Sequence, residues 1–172
     1  MRLFDFSHNI EVGNTGKYSS CNPGCRIAKA SQTEIQDFHG KDGNDQSCKK
    51  LRYAAHHRKK FDIPVIGITG SNGKTIVKEF LYQLLHTEFN IVRSPRSFNS
   101  QLGVPLSVWQ INPKHTLGIF EAGISQPDEM ERLQPIIAPT IGIITNIGEA
   151  HQENFISTTQ KCLEKLTLFN EC

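Results

Sequence analysis

The residues with the most chemical potential lie in one stretch, Gly67-Ile68-Thr69-Gly70-Ser71-Asn72-Gly73-Lys74-Thr75. Glycines let backbone N–H groups converge on phosphate oxygens, and a helix opening behind them turns its positive end toward the same anion. Lys74 is placed to reach the β- and γ-phosphates of a nucleotide, and the Thr75 hydroxyl to hold Mg²⁺. Gly70, Ser71, Asn72, Gly73, Lys74 and Thr75 are therefore the cofactor-binding candidates. The spelling departs from the generic G-x-x-x-x-G-K-[ST], because Ile68 stands where the first glycine belongs and the nearby glycines are at 67 and 70. Context carries the reading, since an apolar run precedes the loop and a helical pattern follows it. An ordinary strand-to-helix turn is the bland alternative.

Three further groups could serve the same chemistry. Glu121 closes the apolar run TLGIFEA, where a carboxylate faces the phosphate loop across the sheet edge and offers Mg²⁺ an oxygen. Taken alone, a glutamate at a strand end is a surface residue. Asn146 and His151 follow the run TIGIITNI, and a lone histidine there is ordinarily a solvated loop residue. Lys165 sits in QKCLEKLTLF, where periodicity alone makes it a solvated helix lysine.

The elements that must position these groups alternate. Residues 52–60 read as a short basic helix and 63–68 (IPVIGI) as a buried parallel strand. After the loop, Ile76, Val77, Phe80, Leu81, Leu84 and Leu85 are expected on one helix face. Strands are predicted near 90–93, 116–122 and 140–147, and helices near 103–111, 127–137 and 157–169, with Pro127 and Asp128 opening the second of these. Strands alternating with helices imply an open, mostly parallel α/β sheet, whose ligands sit beyond the carboxyl ends of the strands. Each motif falls at such an end.

Residues 1–51 differ from residues 52–172. The first segment is rich in Gly, Asn, Ser, Asp and Lys and poor in periodic apolar residues, so it is expected to be poorly ordered. Cys21, Cys25, His39 and Cys48 fit no common zinc-finger spacing. Residues 1–60 hold 11 Lys/Arg against 6 Asp/Glu, but the basic residues are scattered and lack interleaved aromatics, which argues against nucleic acid. No apolar run reaches membrane-spanning length, no signal-peptide core opens the chain, and 5 scattered cysteines suit reduced thiols, so a cytoplasmic protein is expected.

TGSNGKT resembles the loop of the Mur ligases and of the related folylpolyglutamate synthases. Asn99-Ser100-Gln101-Leu102-Gly103-Val104-Pro105-Leu106 resembles the N-x-x-G-x-P-L element of that family. Glu121-Ala122-Gly123 is similar to its E-x-G, and Thr145 to His151 to its T-N-x-x-x-x-H. Lys78-Glu79 and residues 124–130 resemble the branch that adds D-alanyl-D-alanine, and FDIPVIGITGSNGKT and TNIGEAH resemble the form fused in some bacteria to an alanine racemase. The resemblance implies a truncated Mur ligase central domain that uses ATP and Mg²⁺. It implies catalytic roles for Lys74, Asn99, His151 and Lys165, and adds Asn146 to the cofactor-binding residues. The metal ligands would be Thr75, Glu121, His151 and a carbamylated Lys165.

The implied reaction belongs to cell-wall precursor synthesis. The carboxylate of UDP-N-acetylmuramoyl-tripeptide is phosphorylated by ATP, and the amine of D-alanyl-D-alanine displaces phosphate. Neither nucleic acid nor membrane is an expected partner. The family's uridine-nucleotide domain and C-terminal domain find no counterpart here, so the chain reads as a fragment, inactive alone unless another chain supplies them. A folylpolyglutamate synthase-like ligase and a non-catalytic ATP-binding fragment are the alternatives.

Overall fold

In the computed structural model, residues 46–148 and 154–172 are described. The expectation for residues 1–45, the cysteines at 21 and 25, and the role of His151 lie outside the described residues. Helix α1 spans Gln46–Arg58, so secondary structure begins upstream of the boundary read at residue 52. The chain continues through β1 (Val65–Thr69), α2 (Lys74–Leu85), β2 (Ile91–Arg93), α3 (Gly103–Val108), β3 (Leu117–Glu121), α4 (Glu129–Ile137), β4 (Ile141–Ile144) and α5 (Thr158–Leu166). A 3-10 turn, Thr167–Phe169, follows.

The four strands are parallel and ordered β2-β3-β1-β4. Period-two alternation splits their side chains between two cores. Ile66, Ile68, Leu117 and Ile119 face α2, while Val65, Val92 and Phe120 face α1, α3 and α4. Connections that step leftward use α2 on one face, and those that step rightward use α3 and α4 on the other, as right-handed crossovers require. β1 and β3 are neighbours whose following helices leave on opposite faces. The crevice beyond their carboxyl ends is thus the sheet's topological switch point.

Several boundaries differ from the sequence expectation for physical reasons. β1 starts at Val65, because Pro64 has no N–H for the ladder and contributes only its carbonyl, to Gly118 N. β4 stops at Ile144, and the next residues turn to hold the phosphate loop. α4 opens at Glu129 rather than Pro127, because Asp128 adopts a left-handed φ of 65°. Glu129 accepts the backbone N–H groups of Ser125 and Gln126 in the turn before it. The α2 face is also narrower than the pattern suggested. Val77, Leu81 and Leu85 pack on the sheet, whereas Ile76, Phe80 and Leu84 are exposed. The buried arc is shared with Lys78, which lies entirely under the helix.

Arg58 anchors α1 to the rest of the layer. Its guanidinium donates to the carbonyls of Ile137 and Ala138 at the end of α4, and to Phe61 and Ile63 in the link to β1. Orphan carbonyls at a helix end thereby find donors.

Candidate nucleotide-phosphate and metal site

The loop between β1 and α2 turns at two glycines with positive φ, Gly70 at 137° and Gly73 at 82°. At Gly70 a Cβ would lie 2.0 Å from Thr145 Oγ1, so the close approach of the loop to the segment after β4 also demands glycine. That segment grips the loop. Asn146 O accepts the N–H of Ser71 at 2.8 Å, and Asn146 Oδ1 accepts the N–H of Asn72 at 2.8 Å. Ser71 Oγ accepts the N–H of Gly148 at 2.9 Å. Asn146 therefore stands behind the loop, and the Ser71 and Asn72 amides are committed to it. The amides at the start of α2, which has no side-chain cap, are the ones positioned to meet an anion.

Lys74 curls back over the loop and donates to Gly70 O at 2.8 Å. Burial pushes its ammonium below the usual lysine range, an effect opposed by the Glu121 charge. Thr75 Oγ1 donates to Glu121 Oε2 at 3.0 Å, and Asn99 Nδ2 reaches the same oxygen at 3.5 Å. Glu121 is fully buried, and its backbone N–H donates to Ser94 Oγ. The first turn of α2, the connection after β2 and the last residue of β3 thus meet at one carboxylate oxygen in the switch-point crevice.

Lys165 is not the solvated lysine that periodicity suggests. It is 3% exposed, and its Nζ donates to Gly70 O at 3.3 Å. Burial first, then the charges of Lys74 and Lys161, push its pKa down to about 8. Lys161, one helical turn earlier, is buried as well and donates to Gly148 O.

The family description "Mur ligase middle domain" matches residues 68–172. The chain belongs to the Mur ligase family. Among its relatives is the UDP-N-acetylmuramoyl-tripeptide--D-alanyl-D-alanine ligase of Treponema pallidum, 39% identical over 69% of this chain and 26% of that protein. The ligase of the same name from Bacillus subtilis is 34% identical over 62% of this chain and 23% of that protein. The chain spans about a quarter of the length of these relatives. MurF from Acinetobacter baumannii superposes with a TM-score of 0.71 at 27% identity, covering 74% of this chain and 28% of that one. MurF from Thermotoga maritima in complex with ADP superposes with a TM-score of 0.67 at 28% identity, over 73% of this chain and 29% of that one.

The donors present in this Mur ligase domain fit Mg²⁺. The carboxylate of Glu121 and the hydroxyl of Thr75 are hard oxygens at the mouth of the phosphate loop. Among the described residues no three His, Cys, Asp or Glu side chains cluster. Mg²⁺ is bound through one or two carboxylates together with phosphates and waters, and Glu121 with Thr75 offers donors of that kind. Of the sequence-predicted site residues, the structure brings together Gly70 to Thr75, Asn99, Glu121, Asn146 and Lys165. Lys78 and Lys161 were not among them. Each lies four positions along a helix from an assigned lysine, Lys74 or Lys165, and that spacing places it on the same face.

Proposed function

We propose that this chain supplies the ATP-phosphate and Mg²⁺ site of an ATP-dependent Mur ligase, of the branch that joins D-alanyl-D-alanine to UDP-N-acetylmuramoyl-tripeptide. The observation that carries the reading is the meeting of Thr75 and Asn99 on Glu121 Oε2 beside the phosphate loop. The names of the relatives support this branch over a folylpolyglutamate synthase.

In this reading the start of α2 and Lys74 hold the β- and γ-phosphates, with Thr75, Glu121 and His151 as Mg²⁺ ligands. Held by these residues, Mg²⁺ would supply charge neutralisation to the β- and γ-phosphates. The chain's own residues contribute positioning and charge, the main levers on phosphoryl transfer. Asn146 keeps the loop closed, and Asn99 lies where a donor can meet the transferring group. Lys165, held near the range in which its amine is partly neutral, is chemically suited to take up CO₂ and become a carbamate oxygen ligand. A cytoplasmic location accords with these nucleotide substrates, and among the described residues no helix is long and apolar enough to cross a membrane.

Phosphorus NMR of ATP titrated with the purified chain tests the reading. Mg²⁺-dependent broadening of the β- and γ-phosphate signals, lost in Thr75→Ala, is expected. Unchanged signals would refute it. Phosphate release from the purified chain that requires both the UDP-linked tripeptide and D-alanyl-D-alanine would overturn the expectation that it is inactive alone.

A further inference from the structure

Lys78 and Glu121 form an ion pair at 2.9 Å in which both side chains are 0% exposed. The contact is to Oε1 of the carboxylate and is ionic rather than an aligned hydrogen bond. The Lys78 ammonium also donates to Ser94 O at 2.7 Å and to Arg96 O, both in the connection from β2 toward Asn99. Arg96 adopts a left-handed φ of 49° within that connection. Glu79 Oε1 lies 3.4 Å away, with its other oxygen on Arg93. A buried ammonium is tolerated only with such a complement of acceptors, and this one is held from three sides.

The two oxygens of Glu121 therefore have different surroundings. Oε1 is turned inward onto Lys78, and Oε2 faces Thr75 and Asn99. A carboxylate fixed in this way can offer a cation a single oxygen. Mg²⁺ demands near-octahedral geometry, which the narrow bite of a two-oxygen carboxylate fits badly. Ca²⁺ takes 6–8 ligands and accepts carboxylates through one oxygen or two. We propose that Lys78 is a positioning residue that makes Glu121 a one-oxygen ligand and so sets the site's preference for Mg²⁺ over Ca²⁺. The inference rests on the reading that Glu121 faces the nucleotide-bound cation.

ATP affinity of the 172-residue chain, measured calorimetrically with Mg²⁺ or Ca²⁺ as the only divalent cation, provides the test. Wild type should bind ATP about tenfold tighter with Mg²⁺, and Lys78→Met, which opens Oε1, should narrow the ratio to about threefold or less by strengthening the Ca²⁺ complex. Lys78→Arg keeps a cation on Oε1 and should keep the wild-type ratio. Should Lys78→Met not melt cooperatively, Lys78→Gln takes its place, because its neutral amide removes the cation from Oε1 while keeping a hydrogen-bond donor in the pocket. A folded Lys78→Met or Lys78→Gln variant with the wild-type ratio overturns the inference, as does a wild type without preference; both leave the ATP site standing. A wild type that binds ATP with neither cation overturns the site reading and the inference together.

Discussion

Replacing Lys165 by methionine should make the metal-free domain more stable at neutral pH. The side chain is 3% exposed, and its pKa falls from 10.5 to about 8 through burial and the charges of Lys74 and Lys161. Every tenfold loss of proton affinity corresponds to about 1.4 kcal/mol, so holding the ammonium charged in the folded state costs roughly 3 kcal/mol below pH 8. Between about pH 8 and pH 10.5 the unfolded chain binds a proton that the folded one does not, so wild-type stability rises with pH across that window. Methionine has a similar length and no charge to desolvate. It forgoes one hydrogen bond to Gly70 O, worth about 1 kcal/mol, and that carbonyl keeps Lys74 as a donor.

The net gain at pH 7 is about 2 kcal/mol, or roughly 8 °C in the melting temperature of a domain of this size. Thermal unfolding of both proteins in CO₂-free, metal-free buffer from pH 6.5 to 10.5 measures it. The two stability curves should cross before pH 10.5, because relief of the charge penalty leaves the variant short of one hydrogen bond, worth about 1 kcal/mol. Parallel curves, or a variant less stable at pH 7, would show that Lys165 sits in its site without penalty.

Other substitutions should separate packing from ligand contacts. Gly70→Ala places a methyl 2.0 Å from Thr145 Oγ1 at a φ of 137°, and should cost roughly 2–5 kcal/mol in denaturant unfolding. Gly73→Ala meets nothing nearer than 3.9 Å and should cost only the left-handed strain, about 1–2 kcal/mol. Asn146→Ala removes the acceptor for the Asn72 N–H and should lower stability by about 1 kcal/mol while weakening ATP binding through a looser loop.

The sheet was legible in the sequence because parallel strands buried on both faces must be short β-branched runs. The runs before Gly70 and around Phe120 became strands buried throughout, and the run before Thr145 became the exposed edge strand β4. Their ends were less legible. Pro64 lacks a ladder donor, and after the last β4 contact, from Thr145 N–H to Thr69 O, the side chains of Thr145 and Asn146 turn to hold the phosphate loop. Neither effect shows in hydropathy. The face of α2 was misjudged because an apolar count assigns a lysine to solvent, whereas Lys78 is drawn inward by Glu121 and two carbonyls contributed by a distant connection. Lys165 illustrates the same blindness: only family resemblance marked it, and its burial beside Gly70 depends on tertiary packing. The residues of the phosphate loop were readable because glycine, lysine and threonine at that spacing have few other uses between a strand and a helix.

Amide NMR of the isotopically labelled chain titrated with ATP, with and without Mg²⁺, tests the central claim most directly, because it detects weak binding and reports its location. Resonances of Gly70 to Thr75, together with Asn99 and Glu121, should shift saturably, and more strongly with Mg²⁺. Thr75→Ala should abolish the Mg²⁺-dependent part. Absence of shifts at these residues, or shifts confined to the far end of α2 around Tyr82 and His86, would contradict the assignment of a nucleotide-phosphate site to the β1–α2 loop.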